Sequence, residues 1–192
     1  MINEDQKMSE ENLTLVIDSG HPSYEWAKRQ SDSVGAMGHI GTHIDCYDSE
    51  PEQSDYQVEA ISINCTAGMP SVDDLGDLTL FGKALVLFTG NLEKNGYGTP
   101  EYGAMNTALQ SELLDFILAK SPLFIAIDSY GIGAHGDEHI GFDKRCESKG
   151  CFVIENINLT EAISNSLQQL KISFDKSSKS TGKRCQVNAV CR

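Results

Sequence analysis

Short apolar runs, separated by polar and glycine-bearing stretches, organise this chain, and their lengths and periods predict its elements. "LTLVIDS" (13–19) predicts a short strand, and residues 20–38, with three glycines and a proline, predict a loop. "YQVEAISINC" (56–65) alternates as a strand does, and "MPSVDDL" is a turn leading into an acidic helix start. "KALVLFTG" (83–90) is continuously apolar, the pattern of a mid-sheet strand buried on both faces. Residues 91–106, rich in glycine and aromatic side chains, read as a long surface loop. Thr107 and Gln110 form a capping box, after which Leu109, Leu113, Phe116 and Ile117 share one helical face up to Lys120.

"LFIAI" (123–127) is another buried strand, ending with Asp128 at the mouth of a glycine-containing loop. Residues 139–149 read as a helix capped by Gly150, and 151–155 as the next strand. Residues 159–170 read as wholly or partly helical, 175–184 as a polar loop and 185–191 as a last alternating strand. No internal repeat is visible. The pattern predicts a flexible acidic terminus over 1–12, and over 13–192 one mixed α/β domain with few helices and long site-bearing loops.

Composition narrows the function. The chain has 192 residues with 40% hydrophobic content, normal for one globular domain. Its 28 acidic and 15 basic residues give a net charge of −13, which disfavours nucleic acid and anionic membranes and suits cations and neutral or cationic ligands. No run approaches the roughly 18 apolar residues of a membrane span, and the polar start has no signal-peptide core, so a cytoplasmic location is expected. Six cysteines without a CxxC pair read as reduced thiols rather than a cysteine-only metal site.

The chemistry concentrates in "MGHIGTHIDCYDSEP" (37–51), which holds two of the five histidines. On a straight strand His39 and His43 would lie about 13 Å apart, too far for one ion. Gly41, Thr42 and two isoleucines make a poor helix. A bend at Gly41 would bring the imidazoles together, while His43 and Asp45 share a strand face without one. Two imidazoles and a carboxylate suit zinc, manganese or iron and leave positions open. The competing reading is one structural histidine, an exposed neighbour and an aspartate at a turn.

A second cluster follows. His139 and Asp143 have helical i, i+4 spacing, and Glu155 ends an apolar strand where an unpaired charge would be costly. Glu155 therefore calls for a cation, unless it is salt-bridged or exposed beyond the strand. His139 is a ligand or a solvated helix start.

"HIGTHID" matches the first seven positions of HxGTHxDxPxH, the hallmark of the cyclase family that includes bacterial kynurenine formamidase (an arylformamidase) and isatin hydrolase, and the chain resembles that family. The resemblance continues through "LVLFTG", "IAIDSYGI", "FVIENINL" and "GKRCQVNAV", nearly the whole chain. It implies the swivelling β/β/α fold, with His39, His43, Asp45 and Glu155 as ligands of one or two divalent ions, and hydrolysis of small amides in a homodimer or homotetramer. A metal-activated water would then attack the substrate carbonyl without a covalent nucleophile. Imidazole and carboxylate suit Zn2+ and Mn2+ equally.

The departures are specific. Tyr47 and Ser49 replace the proline and the final histidine, which resembles the family's proton-transfer residue. Asp143 stands where the family carries a histidine 12 positions before the glutamate, with His139 one turn earlier; either residue is a ligand candidate. Asp48, Glu50, His135 and His139 are candidates to replace the lost base through water. Otherwise the chain is a metal-binding, catalytically weak regulatory or ligand-binding module, or a relative in fold alone. Among other residues, His21 reads as exposed and Cys46 as a buried thiol; Tyr97 and Tyr102 form a lid or pack their loop, and Trp26 docks a partial helix or touches substrate.

Overall fold

The computed structural model describes residues 8–33, 35 and 37–192. Its strands are β1 (Ser9–Asn12), β2 (His43–Asp45), β3 (Asp55–Asn64), β4 (Ala84–Phe88), β5 (Phe124–Ile127), β6 (Phe152–Glu155), β7 (Leu167–Phe174) and β8 (Gly182–Cys191). The helices are α1 (Tyr24–Ser33), α2 (Val72–Leu75), α3 (Asn91–Asn95), α4 (Pro100–Ala104), α5 (Ser111–Ala119), α6 (Asp137–Glu147) and α7 (Glu161–Ser166).

The strands lie in the order β1-β8-β2-β6-β5-β4-β3-β7, and β7 pairs back onto β8, so β2 to β8 close into a seven-stranded barrel. The pairs β3–β4, β4–β5 and β5–β6 are parallel; β2, β7, β8 and β1 pair antiparallel. β3 serves both regions: Asp55–Glu59 pair with β7 and Ala60–Asn64 with β4. No helix among the described residues is long and apolar enough to cross a membrane.

Alternation along the strands separates two cores. Ile44, Val58, Val86, Phe124, Ile154, Leu170 and Val187 face into the barrel. Leu85, Leu87, Ile125, Ile127 and Val153 face outward and pack under Leu113, Leu114 and Ile117 of α5 and Phe142 and Cys146 of α6. Both faces of β4 and β5 are therefore buried, as their unbroken apolar runs predict. The strands expected in 56–65, 83–90, 123–127, 151–155 and 185–191 are present, and the helix start at "SVDDL" is a capping box between Ser71 and Asp74.

Other expectations are corrected. Residues 13–19 form no strand: Leu13 and Ile17 are buried, but Leu13 N–H bonds to Val187 O and Leu15 N–H to the Thr42 hydroxyl, single contacts rather than a ladder. The strand is instead exposed "SEEN", which pairs with β8, so residues 9–12 of the expected flexible terminus are ordered; residues 1–7 lie outside the described residues. The loop expected over 20–38 contains α1, which buries Ala27 and Ser31 at i, i+4. The loop expected over 91–106 contains the short helices α3 and α4. Thr107 does not cap α5; its hydroxyl donates to Gly131 O, and the helix starts at Ser111. Helix α7 stops at Ser166, because the alternating "LQQLKISF" buries every second side chain over most of its length as β7. β8 likewise begins at Gly182, inside the expected polar loop.

Candidate metal centre

Gly41 decides the course of the first motif. Its φ of 65° is left-handed, and a Cβ there would lie 2.5 Å from Leu15 O, so the position requires glycine. The bend leaves His39 outside β2 and returns it against His43, with ring centroids 4.8 Å apart. Within β2, Ile44 points into the barrel, so His43 and Asp45 point outward. Glu155 is the cross-strand partner of His43 and shares the outward face of β6 with Val153. Helix α6 packs against β6 and supplies His139 and Asp143.

Six side chains converge between the barrel and α6. His39 Nδ1 lies 3.0 Å from Asp45 Oδ1, and His43 Nε2 lies 3.5 Å from the same oxygen and 3.4 Å from Glu155 Oε2. His139 Nε2 lies 3.1 Å from Glu155 Oε1 and 3.5 Å from Asp143 Oδ2. Two groups, His39–His43–Asp45 and His139–Asp143–Glu155, each offer ligand atoms within 4.8 Å of one another. Glu155 approaches both groups, one oxygen toward each.

The donor set fits a divalent cation. His43 Nε2, both oxygens of Asp45, both of Asp143 and Oε1 of Glu155 are buried without a hydrogen bond. Buried carboxylates in that state are costly unless a cation compensates them. His43 Nδ1 donates to Gly41 O at 2.9 Å, which directs Nε2 into the cluster. Burial lowers the His43 pKa, but the negative charges of Asp45 and Glu155 carry it up to about 9. Burial pushes Asp143 and Glu155 well above the usual carboxylate range, and the charge of Asp45 adds to this. Burial also raises Asp45, yet His43 and His39 outweigh it and hold Asp45 below its ordinary value. Burial lowers His39.

The other candidates lie outside this group. Asp48 is exposed, its carboxylate 3.1 Å from Lys144 Nζ. His135 is exposed and stacked on Tyr130, with Nε2 3.2 Å from Gly103 O. Glu50 pairs with Lys183 at 3.1 Å. Tyr97 and Tyr102 support the site from behind: Gly41 N–H donates to the Tyr97 hydroxyl at 3.2 Å, and Tyr102, 1% exposed, donates to Asn156. Trp26 docks α1 edge-on against Tyr97.

Three contributors escape sequence reading. Gly131 has φ 131°, and a Cβ there would lie 2.3 Å from both Glu155 Oε1 and His139 Cε1. Glu147 is buried, and its carboxylate accepts the N–H groups of Tyr47, Asp48 and Ser49 at 2.5, 2.8 and 3.0 Å, tying α6 to the loop after β2. The i, i+4, i+8 series His139, Asp143, Glu147 was its available signal. Tyr47 is half-buried with its ring 5.4 Å from that of His39. Burial pushes its phenol well above the ordinary value, and the charges of Asp45, Asp143, Glu155 and Glu147 add to that. A separate cavity of about 520 Å³, lined by Leu15, Ile40, Thr42, Phe174 and Arg184 among others, includes none of the six clustered side chains.

No family model matches the sequence, and no curated protein does. Solved structures match in fold. One described as a potential metal-dependent hydrolase with cyclase activity superposes with TM-score 0.69 and 17% identity over 97% of this chain and 99% of its own. A predicted metal-dependent hydrolase from Bacillus stearothermophilus gives 0.67 and 16% over 97% and 100%. Isatin hydrolase A from Ralstonia solanacearum gives 0.63 and 12% over 97% and 82%. The expected swivelling β/β/α fold of the cyclase type is the fold observed.

Proposed function

We propose that this chain is a divergent member of the cyclase family and acts as a metal-dependent hydrolase of small amides, arylformamides or cyclic amides. The observation that carries the reading is the convergence of three imidazoles and three carboxylates, with six of their polar atoms buried and unbonded. His39, His43 and Asp45 would form one ligand group and His139, Asp143 and Glu155 the other, holding Zn2+ or Mn2+. When bound, such an ion acidifies a coordinated water and polarises a carbonyl, which supplies amide hydrolysis at neutral pH.

The chain's own residues orient and move protons. The Gly41 carbonyl fixes the His43 tautomer, and Thr181, with its hydroxyl 3.0 Å from His39 Nε2, fixes the other ring. Of the candidates for the missing proton-transfer group, His139 stands in the cluster and is partly exposed, so where Asp143 takes the ligand position instead, His139 is left to carry protons between cluster and solvent. Asp48 and His135 would act through water. A small-molecule substrate, a cytoplasmic location and assembly of two or four copies complete this reading.

The competing reading is a metal-binding module with weak catalysis, favoured by Ser49 at the position of the family's proton-transfer histidine; loss of such a group costs about 10²–10⁴-fold in rate. Elemental mass spectrometry of the untagged chain beside His43→Ala, followed by formamide, lactam and cyclic imide substrates with and without chelator, separates the two. Bound metal, lost in the variant, with chelator-sensitive turnover supports the hydrolase. Metal without turnover supports the module, and no metal even after reconstitution defeats both.

A further inference from the structure

Tyr47 combines three features that no other side chain at the cluster shares. Its ring lies 5.4 Å from that of His39, at a tilt of 35°, and Lys144 Nζ lies 5.8 Å from its centroid. Its backbone is fixed, because Glu147 holds the N–H groups of residues 47, 48 and 49. Its phenol, by contrast, has no hydrogen-bond partner among the described residues and is not among the buried unbonded atoms, so it is open to a ligand. The contact with His39 sets the Tyr47 ring beside the first group of clustered side chains.

We propose that Tyr47 is a substrate-contacting residue of this site, its phenol donating a hydrogen bond to the carbonyl oxygen of a small amide held at the cluster. The proposal rests on the metal-hydrolase reading above. The cluster's acidic side chains can only accept hydrogen bonds when ionised, and the ring nitrogens of His39 and His43 are taken up by carboxylates, the Gly41 carbonyl and the Thr181 hydroxyl, so a carbonyl oxygen arriving beside them lacks a free neutral donor. A phenol supplies one. Oxygen gains charge as a carbonyl is attacked, so a donor fixed beforehand strengthens its bond as the reaction proceeds. The proline of the family pattern offers no such group at this position, so the donor is a departure from that pattern.

The test is Tyr47→Phe, which keeps the ring against His39 and Lys144 and removes only the hydroxyl. The probe is acetohydroxamic acid, a carbonyl compound that chelates metals, titrated calorimetrically into zinc-reconstituted protein. The expected result is unchanged zinc stoichiometry and thermal midpoint, with probe affinity weakened on the order of 10-fold, as loss of a hydrogen bond to a charged oxygen implies. Equal affinity in both proteins, or no probe binding by zinc-loaded wild type, overturns the role of Tyr47 and leaves the metal site standing. Loss of zinc in the variant also overturns it, by showing that Tyr47 supports the site instead of contacting substrate. A wild-type chain that takes up no zinc overturns the hydrolase reading itself, and this inference with it.

Discussion

His43 and Glu155 stand directly opposite each other across β2 and β6, with Nε2 3.4 Å from Oε2, both side chains buried. The strand register alone creates this pair, on the outward face that α6 covers, and it joins the two clustered groups of side chains.

Replacing Glu155 by Gln removes one of three clustered buried carboxylates while keeping its shape. Metal affinity should fall by more than the roughly 10–100-fold that loss of an outer partner costs. The metal-free protein should be no less stable, because a repulsive, desolvated charge has gone. Titration calorimetry and the melting temperature of the chelated protein measure the two effects, which have opposite signs.

Two glycines separate crowding from helix propensity. Gly131→Ala places a methyl group against Glu155 and His139 at a positive φ. It should cost at least about 1–3 kcal/mol and reduce metal uptake. Gly141→Ala, within α6 and with nothing inside 4 Å, should stabilise by about 0.5–1 kcal/mol and leave metal content unchanged. Urea unfolding of both variants beside elemental analysis checks the contrast.

Glu147→Gln weakens the attachment of α6 to the loop after β2, since an amide oxygen replaces a charged acceptor of three N–H groups. A loss of about 1.5–3 kcal/mol is expected by urea denaturation. Faster amide exchange at Tyr47, Asp48 and Ser49 should accompany it.

Chelation should destabilise the protein reversibly. With free metal at 100 times its dissociation constant, binding contributes about 2.7 kcal/mol. The melting temperature should therefore drop on chelation, return when zinc or manganese is restored, and respond little in His43→Ala.

The sequence by itself determined the barrel's central strands and most of the clustered side chains of the candidate site. β4 and β5 are legible because burial on both faces leaves an unbroken apolar run. His39, His43 and Asp45 are legible because one local bend at Gly41 gathers them. β1 was not legible: its residues are acidic and exposed, and only pairing with β8 makes them a strand. Tertiary structure also decided that Glu155 opposes His43, that α6 brings His139 and Asp143 onto the same face, and that Glu147 holds the Tyr47 loop. The pairs of His43 with Glu155 and of Glu147 with the Tyr47 loop join residues about a hundred positions apart, and barrel closure and helix packing set all three relations, which local periodicity does not encode.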